Sequence, residues 1–117
     1  MKASPRSLLG LVVLVLGISA GVQWWHGAQD ARLGAAIAER AAPGDIRMIA
    51  SDTCTYCAHA RAWMGQYRVR FSECSIERDP ACAAAFRDSQ APGTPVVVVR
   101  GQRQVGFDPR RVLAALS

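Results

Sequence analysis

Read for polarity alone, the chain falls into two unlike parts. Leu8 to Trp25 is eighteen residues without a charge, rich in Leu, Val and Gly. As a helix, that run is about 27 Å long, close to the thickness of bilayer hydrocarbon. Gln29 to Ala42 is mixed, with Leu33 and Ile37 at i, i+4, and predicts a helix with a thin apolar stripe ended by Pro43-Gly44. From Asp45 onward the apolar residues come in short runs. Ile46, Met48 and Ile49 suit a buried strand, and Ala58 to Tyr67 is rich in helix-favouring residues, predicting a helix over about 54–67. Strands follow at about 69–74, 96–100 and 104–107, and helices at about 80–89 and 109–116.

The residues at the element ends agree with this division. Thr53, Asp79 and Asp108 precede helices and suit N-caps, while Pro80 and Pro109 suit first turns. Gly101-Gln102 reads as a hairpin turn. Trp63, Met64, Phe71, Phe86 and Val96 to Val99 are the expected core. The whole describes an α/β domain, a four-stranded mixed sheet with helices on both faces.

Charge bears mainly on the N-terminus. The net charge is +5, and without Lys2 and Arg6 twelve basic residues face nine acidic ones. The arginines are scattered, with Arg110-Arg111 an isolated pair, so no basic block suited to nucleic acid exists and no nucleic-acid partner is expected. Lys2 and Arg6 flank the apolar run on one side and Trp24-Trp25 closes it on the other. That pattern places residues 1–7 in the cytoplasm, a transmembrane anchor at 8–25, a juxtamembrane helix or linker at 26–44 and the domain at 45–117. The domain then lies on the periplasmic side of the inner membrane on a single-pass anchor. A cleaved signal peptide ending near Ser19-Ala20-Gly21 is the other reading, and it releases the domain to the periplasm. Both readings export it.

Four cysteines carry the chemistry: Cys54 and Cys57, then sixteen intervening residues, then Cys74 and Cys82. The first pair sits where a strand runs into a helix. Unpaired N–H groups and the helix dipole favour a thiolate at Cys54, making it nucleophilic at neutral pH. Cys57, one turn later, can resolve a mixed disulfide. Cys74 and Cys82 enclose seven residues, and a disulfide between them contributes about 2 kcal/mol through loop entropy. Simple packing, or a second redox pair feeding the first, stays open. A zinc site is disfavoured because the second pair is spaced too widely, and His59 misses the haem-attachment position by one residue. No metal ligands are assigned.

A Thr94-Pro95 immediately before the four-valine strand, followed by Gly101 and by Val105-Gly106-Phe107-Asp108, completes the pattern. With the Cys54-Thr55-Tyr56-Cys57 site, residues from about 45 to 116 resemble a glutaredoxin of the thioredoxin superfamily. Thr55 stands where that family usually has proline. The resemblance implies a thioredoxin-like fold and a cis Thr94–Pro95 bond beside the cysteines, with Thr94 and Pro95 orienting substrate backbone. It implies that Tyr56 lines the substrate groove, and Asp108 is retained from the family's binding motif.

Two departures count against glutathione as reductant. Ser51-Asp52-Thr53 offers an acid where glutaredoxins usually carry Lys or Arg, and Phe107 follows Gly106 where they usually have a second glycine. Gly106-Phe107 resembles members reduced by thioredoxin reductase, and an exported protein would need another electron source. No bound cofactor is expected, and glutathione stays open as a reductant. The expected function is thiol–disulfide exchange outside the cytoplasm, on a protein or small-thiol disulfide, with an unidentified redox partner and direction of electron flow. A non-catalytic binding module on the same fold, or a thiolate zinc or copper protein, are the other classes.

Overall fold

The computed structural model describes residues 4–117. The order is α1 (Pro5–Arg40), β1 (Ile46–Ala50), α2 (Thr55–Gln66), β2 (Ser72–Ser75), α3 (Pro80–Ser89), β3 (Val96–Val99), β4 (Gln102–Val105) and α4 (Pro109–Ala115). The strands form one sheet in the order β2-β1-β3-β4. β1 pairs parallel with β2 and antiparallel with β3, and β3 pairs antiparallel with β4. This is the expected mixed α/β sheet with flanking helices.

The chain divides into two compact units at Arg32/Leu33. In the first, the apolar side chains from Leu8 to Trp25 are exposed along α1, the one described helix long and apolar enough to cross a membrane. Such a helix near the N-terminus serves equally as a span or a signal sequence. The expected cytoplasmic segment 1–7 lies partly outside the described residues.

The second unit begins at Leu33 rather than at residue 45, because the last turns of α1 bury Gly34 and Ile37 in it. The separate helix expected over 29–42 is therefore the end of one helix that starts at Pro5. Gly34 shows why the packing is close: a Cβ there would overlap the Tyr67 ring. A mid-helix glycine costs about 1 kcal/mol against alanine, and this contact explains its presence.

Strand alternation divides the core between the two sheet faces. Ile46, Met48 and Ala50 share one face with Val97 and Val99, covered by Cys57, Ala60 and Met64 of α2, Val112 and Leu116 around α4, and Ile37 of α1. Ile49 and Val96 point to the other face and meet Cys82, with Cys74, Ala85 and Phe86 around them. On that face the pair Arg47–Val98 is exposed at Arg47 and half-buried at Val98, so the cover from α3 is incomplete there. Phe71 and Phe86, expected in the core, are half-buried at its edge, as is Trp63.

Three boundaries move for local reasons. Arg68 takes φ +57 after α2, Val69 N donates to Met64 O at 2.9 Å and Arg68 N to Gly65 O at 3.3 Å. This Schellman-type stop uses Val69 to close the helix, so β2 starts at Ser72 rather than near 69. The β3–β4 turn is Arg100-Gly101, both at positive φ, with Val99 facing Gln102. A two-residue turn of that kind matches strand twist, and it moves the hairpin one residue earlier than Gly101-Gln102. Thr53 is not the N-cap of α2: Cys54 is, with φ −90° and ψ 110°. Asp79 and Asp108 cap α3 and α4 as expected.

Candidate active site

The site grows from the end of β1. Ala50 leaves the sheet, Ser51 to Thr53 make a tight turn in which Cys54 N donates to Ser51 O at 3.3 Å, and α2 begins at Thr55. Cys54 thus occupies the N-cap, where the first helical N–H groups lack intrahelical partners. Its sulfur accepts a hydrogen bond from Cys57 N at 3.0 Å.

Cys54 and Cys57 are disulfide-bonded, with Cα atoms 5.2 Å apart. Their environments differ. Cys57 is fully buried in the core cluster, whereas Cys54 is half-buried at its edge. An incoming thiolate or disulfide therefore meets Cys54 first. A thiolate formed on Cys54 would keep the Cys57 N–H and the positive end of α2, both of which favour the charged form. Tyr56, between the cysteines, is 76% exposed and contributes no packing.

The antiparallel register pairs Ile49 with Val96 and so carries Pro95 and Thr94 to the end of β1 from which the cysteine turn departs. The Thr94–Pro95 bond is cis. Pro95 is buried and its carbonyl accepts from Gly106 N at 2.8 Å, while the Thr94 backbone takes no part in the hydrogen bonds of the described residues. Gly106 takes φ +79, a conformation that suits glycine there. Phe107 packs edge-on against Trp63 of α2, with centroids 5.6 Å apart, joining the segment before α4 to the cysteine helix.

Asp108 is engaged within its own helix end. Its Oδ1 accepts from Arg110 N at 3.0 Å and its Oδ2 lies 3.6 Å from Arg111 Nε. Cys74 and Cys82 form a second disulfide, with Cα atoms 5.9 Å apart, joining β2 to the first turn of α3. His59 is exposed on α2.

The turn before Cys54 has a support that nothing in the linear pattern marks. Glu77, in the β2–α3 turn, accepts from Ser51 Oγ, from Asp52 N at 3.1 Å and from Ser75 Oγ at 3.0 Å. The Ser51 hydroxyl foremost, then the Asp52 N–H, hold the Glu77 carboxyl down at about 2. Beside it Arg78 Nη2 lies 3.1 Å from Asp52 Oδ1. The acid standing where glutaredoxins usually carry a cation is thus paired with a cation from another element. Arg61 of α2 grips Glu73 of β2 with two bonds of 2.7 and 2.8 Å, which lower the Glu73 carboxyl and raise the Arg61 guanidinium. Asp52, Arg61, Glu73 and Arg78 line a polar cleft of about 100 Å³ that Cys74 also borders.

Comparison with known proteins agrees with this geometry. The glutaredoxin family model matches residues 46–104, which contain both cysteine pairs and Thr94–Pro95. The chain belongs to the glutaredoxin family, within the thioredoxin superfamily. Among solved structures, a mutant of the thioredoxin-like protein BC3987 superposes with a TM-score of 0.55 at 23% identity, over 62% of this chain and 95% of that one. That likeness is one of fold. No curated protein matches the chain. Family, fold and the Cys54–Cys57 pair together define a thiol–disulfide oxidoreductase in the general sense.

Proposed function

We propose that the protein exchanges thiols and disulfides outside the cytoplasm, through Cys54 as nucleophile and Cys57 as resolving thiol. The observation that carries this reading is the asymmetry of the pair: Cys54 is accessible at a helix N-cap and Cys57 is buried behind it. In the reducing direction, the Cys54 thiolate attacks one sulfur of a substrate disulfide, forming a mixed disulfide and releasing a thiolate. Cys57, as thiolate, then attacks the Cys54 sulfur, closing the Cys54–Cys57 disulfide and releasing the second substrate thiolate. Two electrons pass from the dithiol to the substrate, and the reverse sequence donates the disulfide.

Thr94 and Pro95 orient the substrate, the free Thr94 backbone pairing with an extended peptide. Tyr56 supplies an exposed aromatic wall. Asp108 enters substrate binding through the segment it shares with Phe107, its carboxylate already engaged by Arg110 and Arg111. Electrons enter or leave by exchange with a second thiol or disulfide partner. Glutathione is the partner that the residues before Cys54 and after Gly106 argue against.

The apolar part of α1 anchors the protein in the inner membrane with the domain on the periplasmic side. The Cys74–Cys82 disulfide suits that oxidising setting. The test is reduction of a small disulfide by the full-length protein in detergent micelles, in wild type and Cys54→Ser. Activity lost in the variant supports the reading, and undiminished exchange overturns it.

A further inference from the structure

We infer that Glu77 is a positioning residue for the exchange site, holding Cys54 in register with the Cys57 N–H. The inference rests on the exchange reading above. Glu77 touches neither cysteine. It acts on the turn that delivers Cys54 to its N-cap position.

The links can be followed bond by bond. One Glu77 oxygen accepts from Ser51 Oγ, and the other accepts from Asp52 N at 3.1 Å. Ser51 Oγ in turn accepts from Thr53 N at 3.4 Å, and Ser51 O accepts from Cys54 N at 3.3 Å. Every residue of the turn between β1 and Cys54 is thereby tied, directly or through Ser51, to one carboxylate from a different part of the chain.

That carboxylate is itself held. Ser75 Oγ donates to it at 3.0 Å and accepts from Glu77 N at 3.3 Å, and Asp79 N donates to Ser75 O at 2.9 Å. The segment carrying Glu77 lies inside the loop closed by Cys74–Cys82. Arg78, the next residue, secures Asp52 with a second bond. The β2–α3 turn therefore forms a fixed platform against which the cysteine turn rests.

The chemical consequence falls on the Cys54 thiolate. Its main local support is the Cys57 N–H at 3.0 Å, a contact that needs the N-cap geometry of Cys54. Without Glu77, the Ser51 hydroxyl and the Asp52 N–H lose their acceptor, and the turn, held then by Arg78 alone, samples other conformations. The thiolate then loses its donor part of the time and the thiol pKa rises. The charge of Glu77 acts oppositely, because removing a nearby anion would lower the thiol pKa. The two effects differ in sign, so they can be told apart.

The experiment is the pH dependence of Cys54 alkylation in the reduced full-length protein in micelles, for wild type, Glu77→Ala, Glu77→Gln and Ser51→Ala. One pKa unit corresponds to about a tenfold change in thiolate fraction below the pKa. Glu77→Ala and Ser51→Ala should both move the Cys54 titration upward and slow alkylation at pH 6 by about threefold or more. Glu77→Gln, which keeps one acceptor but no charge, should fall between wild type and alanine. The inference is overturned if Glu77→Ala and Ser51→Ala titrate as wild type, however much their melting temperatures fall. It is equally overturned if both Glu77 variants move the pKa downward. Should Glu77→Ala fail to fold, Ser51→Ala and Glu77→Gln carry the test. Alkylation needs no substrate, so a wild type that alkylates but does not exchange disulfides would sink the exchange reading separately.

Discussion

Cys57 N donates to Cys54 Sγ across 3.0 Å, and of the two side chains that share this turn Cys57 is fully buried and Cys54 half-buried. In the proposed exchange, the buried partner resolves and the accessible one attacks. Cys57→Ser should therefore accumulate a stable mixed disulfide with substrate at Cys54, because attack persists and resolution is lost. Intact-mass measurement after incubation with an excess of disulfide reads it directly. Cys54→Ser should form no adduct at Cys57 on the same timescale.

The second disulfide supports stability. Cys74 and Cys82 are separated by eight positions, and cross-linking a loop of that size restrains the unfolded chain by about 2 kcal/mol. Converting both to alanine should lower the melting temperature measured by near-UV circular dichroism, while the Cys54–Cys57 pair remains oxidisable. A double variant that melts as wild type would remove the loop-closure account.

Gly34 and Tyr67 make a tight contact that no larger residue fits. Gly34→Ala gains about 1 kcal/mol in helix propensity but forces the Tyr67 ring to move, at a cost of typically about 1–3 kcal/mol. The net expectation is a loss of about 1 kcal/mol, seen as a lower denaturation midpoint. Pairing it with Tyr67→Gly, which removes both the ring and the Cβ that the new methyl would meet, should remove the clash, so that the two changes are not additive. A stabilised Gly34→Ala would contradict the packing described.

Acid stability carries the Glu77 signature. Its folded pKa of about 2 lies below the ordinary 4.5, so its contribution is complete above about 4.5 and is lost as pH falls toward 2. Glu73 and Asp45 are also lowered, by Arg61 and by the Ala42 N–H respectively, and contribute in the same direction. Glu77→Gln should thus flatten, without abolishing, the fall in denaturation midpoint between about pH 4.5 and 2. An unchanged slope would show that the Ser51 and Asp52 contacts do not form.

Much of this site is legible in the sequence because its signals are local. The Cys54-Thr55-Tyr56-Cys57 spacing, Asp79-Pro80 and Asp108-Pro109 as helix starts, and the valine run each declare themselves within a few residues. What escapes depends on partners far along the chain. Glu77 and Asp52 are twenty-five positions apart, and no short-range pattern joins them. The end of α1 reads as a thin-striped spacer because only its Gly34 and Ile37 are buried, against residues supplied later. The late start of β2 is invisible because the helix stop uses Arg68 at positive φ, where glycine would have given a signal. Cys54 displaced Thr53 as cap because a sulfur does the work usually done by a hydroxyl.

The most direct test of the exchange reading is a redox titration of the full-length protein in micelles, read by the mass of the peptide containing Cys54 and Cys57 after thiol trapping. A reversible two-electron couple is predicted for that peptide, between about −270 mV, the range of a reductant, and about −120 mV, that of a disulfide donor. Where it falls assigns the direction of electron flow. A Cys54–Cys57 disulfide that no thiol buffer in this range reduces would contradict the account, and so would a pair that stays reduced throughout.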